Sequence, residues 1–186
     1  MSDSSADWEA LTTGLGPGTG GPVPAAVVAM LRATSPMEAD EAYWRIDNRV
    51  VVQGQLFEAA VPTARMVADA LCRREATRDG FLRGVDLLVE VVNGESHHEE
   101  VSRGRPALGD ACRRELRPYV PCFERMVERA EGPLLYGLLC LLDALETDRS
   151  RWAGVLDTVQ VRRLGPEVGT WTAEFRDVDS SQSPDS

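Results

Sequence analysis

A chain of 186 residues with 43% hydrophobic residues has enough apolar material for one domain with a real core. Its net charge of −10 and pI near 4.7 leave too few cations to displace counterions from nucleic-acid phosphates or to hold an anionic membrane surface. All 20 basic residues are arginine, which removes Schiff-base, phosphate-loop-lysine and lysine-base chemistry.

Residues 1–21 are polar and then glycine-rich, a composition that buries too little apolar surface to offset its ordering entropy, so a flexible arm is expected. Pro22 to Ala33 predicts a first helix with Val23, Val27, Met30 and Leu31 on one side. Ser35-Pro-Met-Glu38 supplies a capping hydroxyl, proline at the first helical position and the glutamate of a capping box. From there Ala39, Tyr43, Ile46 and Val50 recur at helical spacing. Asp40, Trp44, Asp47 and Asn48 fall on the neighbouring stripe.

Val50 to Gly54 reads as a turn with one short extended piece, followed by a helix from about Gln55 to Arg74. Pro62 lies inside that helix and is expected to kink it. Asp79 to Val92 has the cleanest amphipathic pattern, with Phe81, Val85, Leu88 and Val92 inward and Asn93-Gly94 as its stop. A polar loop covers 93–106. Leu108 to Arg117 predicts a helix, Pro118 and Pro121 a break and restart, and Tyr119, Phe123, Met126 and Ala130 one face of the next helix.

Pro133 to Glu146 is apolar almost all round, the mark of a central helix. Asp148 to Arg162 predicts a last helix, with Trp152, Val155, Leu156 and Val159 inward. Thr170 to Phe175 alternates like a short strand or extended cover, and 176–186 is a polar tail expected to be disordered. The folded domain is therefore expected to span 22–175.

None of the four cysteines, Cys72, Cys112, Cys122 and Cys140, forms a C-x-x-C pair, and each has apolar neighbours. Buried free thiols are expected. The first ten residues are acidic and unlike a secretory signal, and no apolar run approaches the ~20 residues of a membrane span. A cytoplasmic protein is expected.

About eight helices with short connections predict an all-α domain, either a closed bundle or an open stack. The helix pair Ser35 to Arg74, about 40 residues with an internal proline, resembles the unit of bacterial HEAT-like repeat proteins, and the resemblance spans about 22–161. It implies an α-solenoid of stacked helical hairpins and a long surface for protein recognition.

Three sites present themselves. Glu95-Ser-His-His-Glu-Glu100 gathers both histidines with three carboxylates, a set that suits a divalent metal, a partner contact or a solvated loop. Ser96 and Glu99 also have capping-box spacing, and adjacent side chains such as His97 and His98 diverge, which argues for a structural loop and against a metal. Asp40, Trp44, Asp47 and Asn48 form a tryptophan ringed by acids, either an interface anchor or a packed aromatic with Asp47 paired to an arginine such as Arg49. Carboxylates such as Glu58, Glu90 or Glu95 have no spacing that singles out an acid–base pair.

No catalytic motif appears, and no cofactor is indicated. The sequence therefore favours a non-enzymatic, acidic interaction module for a basic protein partner, as in bacterial accessory or immunity proteins of HEAT-like fold. Its contacts are expected at Asp40, Trp44, Asp47, Asn48, Glu95, His97, His98 and Glu99. The alternative is a small metal-dependent hydrolase or ligand-binding helical domain that uses the 93–106 loop with Glu90.

Overall fold

A computed structural model of the chain describes residues 6–146 and 148–160. The architecture is helical, with one small sheet. Helices α1 (Val23–Arg32) and α2 (Pro36–Val50) form a tight hairpin, closed by the three-residue link 33–35. Ser35 accepts from Glu38 N at 3.3 Å, and the Glu38 carboxylate reaches back to Thr34 N at 2.8 Å, so the box closes one residue early.

Strands β1 (Val51–Val52) and β2 (Gln55–Leu56) are antiparallel, and β3 (Glu95–Ser96) adds in parallel to β2. The turn between β1 and β2 is Gln53-Gly54, with φ of 52° and 77°. Two successive positive φ values are what a two-residue hairpin needs, and glycine meets the second without strain.

Helix α3 is Ala60–Cys72, shorter than the expected 55–74. Gln55 and Leu56 pair as strand, so Pro62 falls in the first turn of α3, where no intrahelical N–H bond is lost. The expected kink, one support of the HEAT-like resemblance, disappears for that reason.

Helix α4 (Arg78–Asn93) is the hub, packed against α1, α2 and α3. It also packs against α6 (Leu108–Leu116) and α8 (Gly132–Leu145). Its buried set, Gly84, Val85, Leu87, Leu88, Val91 and Val92, wraps further round than the expected single face, while Phe81, Leu82 and Val89 are only half-buried. The apolar α8 was expected at the centre. It packs mainly on α4 and on α7 (Val120–Val127), and its Tyr136 is 45% exposed.

Thr77 fixes the start of α4. Its hydroxyl accepts from Gly80 N at 3.1 Å and donates to Ala33 O at 2.5 Å, tying α4 to the end of α1. There is no room for a β-carbon at Gly80, which would strike the carbonyl oxygens of Met30 and Leu31.

Two short elements complete the middle of the chain, α5 (His98–Ser102) and a 3₁₀ turn at Arg117–Tyr119. Helix α9 is Arg149–Gln160, started by Asp148, which accepts from Ser150 N at 3.0 Å and Arg151 N at 3.2 Å. Trp152, Leu156 and Val159 of α9 are buried as expected, while Val155 is half-buried. The alternating stretch 170–175 and the tail 176–186 lie outside the described residues.

Residues 6–21, expected as a flexible arm, lie against the domain. Thr12 and Thr13 are buried, Thr12 O accepts from Ala59 N at 3.1 Å, and Gly14 N donates to Arg49 O at 2.8 Å. Trp8 and Leu11 also pack against the core, and the hydrogen bonds that fasten the rest give no sign in its hydropathy.

The expectation of four free thiols also fails. Cys72 at the end of α3 and Cys122 in α7 form a disulfide with Cα atoms 6.1 Å apart, while Cys112 is free and buried and Cys140 is free and half-buried. The two partners are 50 residues apart in sequence and meet only through the fold, so no local spacing announces the bond.

Candidate functional site: a cleft between two helices

The site is built where one stripe of α2 faces one stripe of α4. Asp40, Tyr43 and Asp47 recur at helical spacing along α2, with Trp44 beside them. Arg83, Asp86, Glu90 and Asn93 do the same on α4. The apolar flanks of both stripes, Ile46 and Val50 on α2 with Val91 on α4, are buried and hold the two helices together.

The lower part of this seam carries its own cation. Arg83 Nε donates to Asp40 at 2.5 Å and its Nη1 donates to Asp86 at 3.0 Å. The same guanidinium lies over the Tyr43 ring, 5.7 Å from its centre. Burial raises the Asp86 carboxyl, and the Arg83 contact opposes that rise.

The upper part is different. Tyr43 donates its hydroxyl to Glu90 at 2.6 Å. Burial, then the hydrogen bond and charge of Glu90, push the tyrosine far above its ordinary range and keep it neutral. Asp47 faces Glu90, and no guanidinium lies within ion-pair range of either among the described residues. Burial, then the Glu90 charge and a carboxyl–carboxylate hydrogen bond, raise Asp47 to about 6. Tyr43, Trp44, Asp47, Gln53, Gly54, Val89, Glu90 and Asn93 line an open cleft of about 560 Å³ here.

Trp44 stands at the rim, 59% exposed, its ring edge-on to Tyr43 at 5.9 Å. The packed reading of Trp44 is therefore replaced: the indole is mostly exposed and borders α1 only across an open hollow. A second hollow, about 420 Å³, opens on the α1 side with Leu15, Ala25, Ala29, Arg45 and Arg49 in its wall. Asp47 does not pair with Arg49, which donates to Thr19 O at 3.3 Å. Asn48 is spent on its own helix, donating to Trp44 O at 2.8 Å.

The 93–106 segment forms a separate cluster, and none of Glu95, His97, His98 or Glu99 lines the cleft. Glu95 and Ser96 are strand, and Ser96 accepts from Leu108 N at 2.9 Å instead of capping α5. His97 is the cap, its Nδ1 accepting from Glu99 N at 3.3 Å, and its ring stacks on Phe57 at 4.7 Å and tilts against His98 at 4.0 Å. Glu99 pairs with Arg103 at 3.1 Å.

Glu100 is fully buried and bound by Arg105 Nε at 2.6 Å and Arg103 at 3.4 Å. Arg105 also reaches Glu58 at 3.0 Å and Thr12 Oγ1 at 3.3 Å. These bonds tie three distant segments into one satisfied ionic network, which makes the loop a clasp. Among the described residues no group of three or more histidine, cysteine or acidic side chains is placed to hold a metal ion.

Sequence reasoning placed Asp40, Trp44 and Asp47 on one stripe, and the structure keeps them at the α2–α4 seam. It did not find Arg83 or Asp86 across the seam, or Gln53 in the cleft wall, although the spacing of Arg83, Asp86 and Glu90 on α4 carries the first signal. No protein-family model matches this chain, and neither curated proteins nor solved structures yield a match.

Proposed function

We propose that the chain is a non-enzymatic interaction module that docks a basic protein partner through the Trp44 face of α2. The observation that carries this reading is a 59% exposed tryptophan at the rim of a cleft whose two carboxylates, Asp47 and Glu90, lack a cation within the described fold. The net charge of −10 adds long-range attraction for the same partner. The HEAT-like, accessory or immunity-type role belongs to this proposal by analogy of helical format alone. The packing of α4 against helices on several sides argues for a closed cluster over an open stack.

Among the described residues no helix is long and apolar enough to cross a membrane. A cytoplasmic setting remains part of the proposal, and the Cys72–Cys122 bond weighs against it, because cytosolic thiols are usually kept reduced.

The test is a peptide array probed with the purified chain and with Trp44→Ala. Basic peptides are expected to bind the native chain, and Trp44→Ala to lose at least tenfold in affinity, about 1.4 kcal/mol, with its Tm unchanged because the indole is exposed. Equal binding by the two proteins would refute the reading.

A further inference from the structure

The α2–α4 seam contains two sets of the same parts. In the first, Asp40 and Asp86 hold a guanidinium that rests on the Tyr43 ring. The second lies two turns further along α2 and one turn further along α4, where Asp47 and Glu90 face one another with the Trp44 indole beside them. Tyr43 divides the two, giving its ring to Arg83 and its hydroxyl to Glu90. The second set has the aromatic surface and the two carboxylates, and among the described residues it has no arginine.

Elsewhere in the fold, Glu58, Glu100, Asp110, Glu115 and Glu124 each have an arginine within 3.5 Å. Asp47 instead faces the Glu90 carboxylate, and burial together with that like charge raises it to about 6, as expected when no cation is supplied. The cleft is open and large enough for a planar side chain beside the indole.

We propose that this cleft receives one guanidinium group, from an arginine of the partner, stacked on the Trp44 indole and held by the Asp47 and Glu90 carboxylates. The inference rests on the docking reading above and names the chemistry of its anchor. Guanidinium is favoured over ammonium because its planar fork matches two carboxylates and its face stacks on an aromatic ring, as Arg83 already does one step away. Entry of the cation offsets the repulsion between the two ionised carboxylates, and below about pH 6 it displaces the Asp47 proton to solvent. No covalent change occurs.

The probe is N-acetylarginine amide, titrated into the ¹⁵N-labelled full chain while the Trp44 indole N–H resonance is followed, assigned by its loss in Trp44→Ala. A saturable shift at millimolar probe is expected, with blocked glutamine giving no shift and blocked lysine binding more weakly. The double variant Asp47→Asn, Glu90→Gln, whose helical content is checked by circular dichroism, should lose the shift. No saturable shift, a shift undiminished in the double variant, or lysine binding as tightly as arginine would each overturn the proposal. The array separates the two readings. If Trp44→Ala loses basic peptides and the double variant keeps them, the guanidinium site is wrong and the docking face stands. If both variants keep them, the docking face itself is wrong.

Discussion

Asp47 is the residue at which stability and the proposed binding meet. Its folded value of about 6 lies above its ordinary 3.8, so between those values the folded chain keeps a proton that the unfolded chain has lost. That contribution to stability is complete below about pH 4 and is lost as pH rises through about 6. Asp47→Asn removes the like-charge contact with Glu90 and should raise the Tm at pH 7.5. The side chain is half-buried, so the gain is screened to about 1 kcal/mol or less, ~2–4 °C at most for a chain of this size. The gain should shrink to nothing near pH 4. Thermal melts of both proteins at the two pH values decide it, and an equal or lower Tm for the variant at pH 7.5 would count against repulsion between Asp47 and Glu90.

Among elements, α2 was legible in full, because Ser35-Pro36 with Glu38 starts it and a 3.6-residue rhythm carries it to Val50. Helix α3 was legible only from Ala60. Gln55 and Leu56 are strand because the Gln53-Gly54 turn folds them back on Val51-Val52 and β3 adds from forty residues away; the turn was legible, the pairing with β3 was not. The clasp built on Glu100 was hidden for a similar reason: Arg105 comes from the same loop, but Glu58 and Thr12, which Arg105 also binds, come from segments that sequence places far apart. Histidine chemistry drew attention to the loop, whereas its buried member is the glutamate. Packing of one element on another also reverses an ordinary rule at Gly80. In an exposed helix interior, Gly→Ala stabilises by about 1 kcal/mol. Here the added methyl group meets the carbonyls that end α1, so Gly80→Ala should destabilise by about 1–3 kcal/mol in urea unfolding. A stabilised variant would show that α1 and α4 are not in contact there.

At the scale of the whole molecule, the helical class followed from periodicity, whereas the hub did not. The almost wholly apolar α8 resembled a central helix, yet α4 takes that place because three of its charges, Arg83, Asp86 and Glu90, lie along one seam and leave its other faces apolar. The Cys72–Cys122 bond closes the chain across 50 residues from α3 to α7. By constraining the unfolded ensemble, a loop of that length contributes about 2–4 kcal/mol. Reduction should therefore lower the Tm by several degrees, ~2–4 °C per kcal/mol, without altering the α2–α4 cleft, which lies on other elements. Melts with and without reductant check this, and identical curves would mean that the bond is not formed in solution.

The proposed docking of a cation against Asp47 and Glu90 is tested most directly by calorimetric titration of the chain with an arginine-rich peptide at pH 5 and pH 7.5. Arginine stays charged throughout, so the pH dependence is read against the Asp47→Asn variant to isolate the cleft from other acids. The account predicts binding about tenfold weaker at pH 5, where Asp47 holds its proton, and a smaller pH effect in the variant. Binding that is equally tight at both pH values, or a pH effect as large in Asp47→Asn as in the native chain, would contradict it.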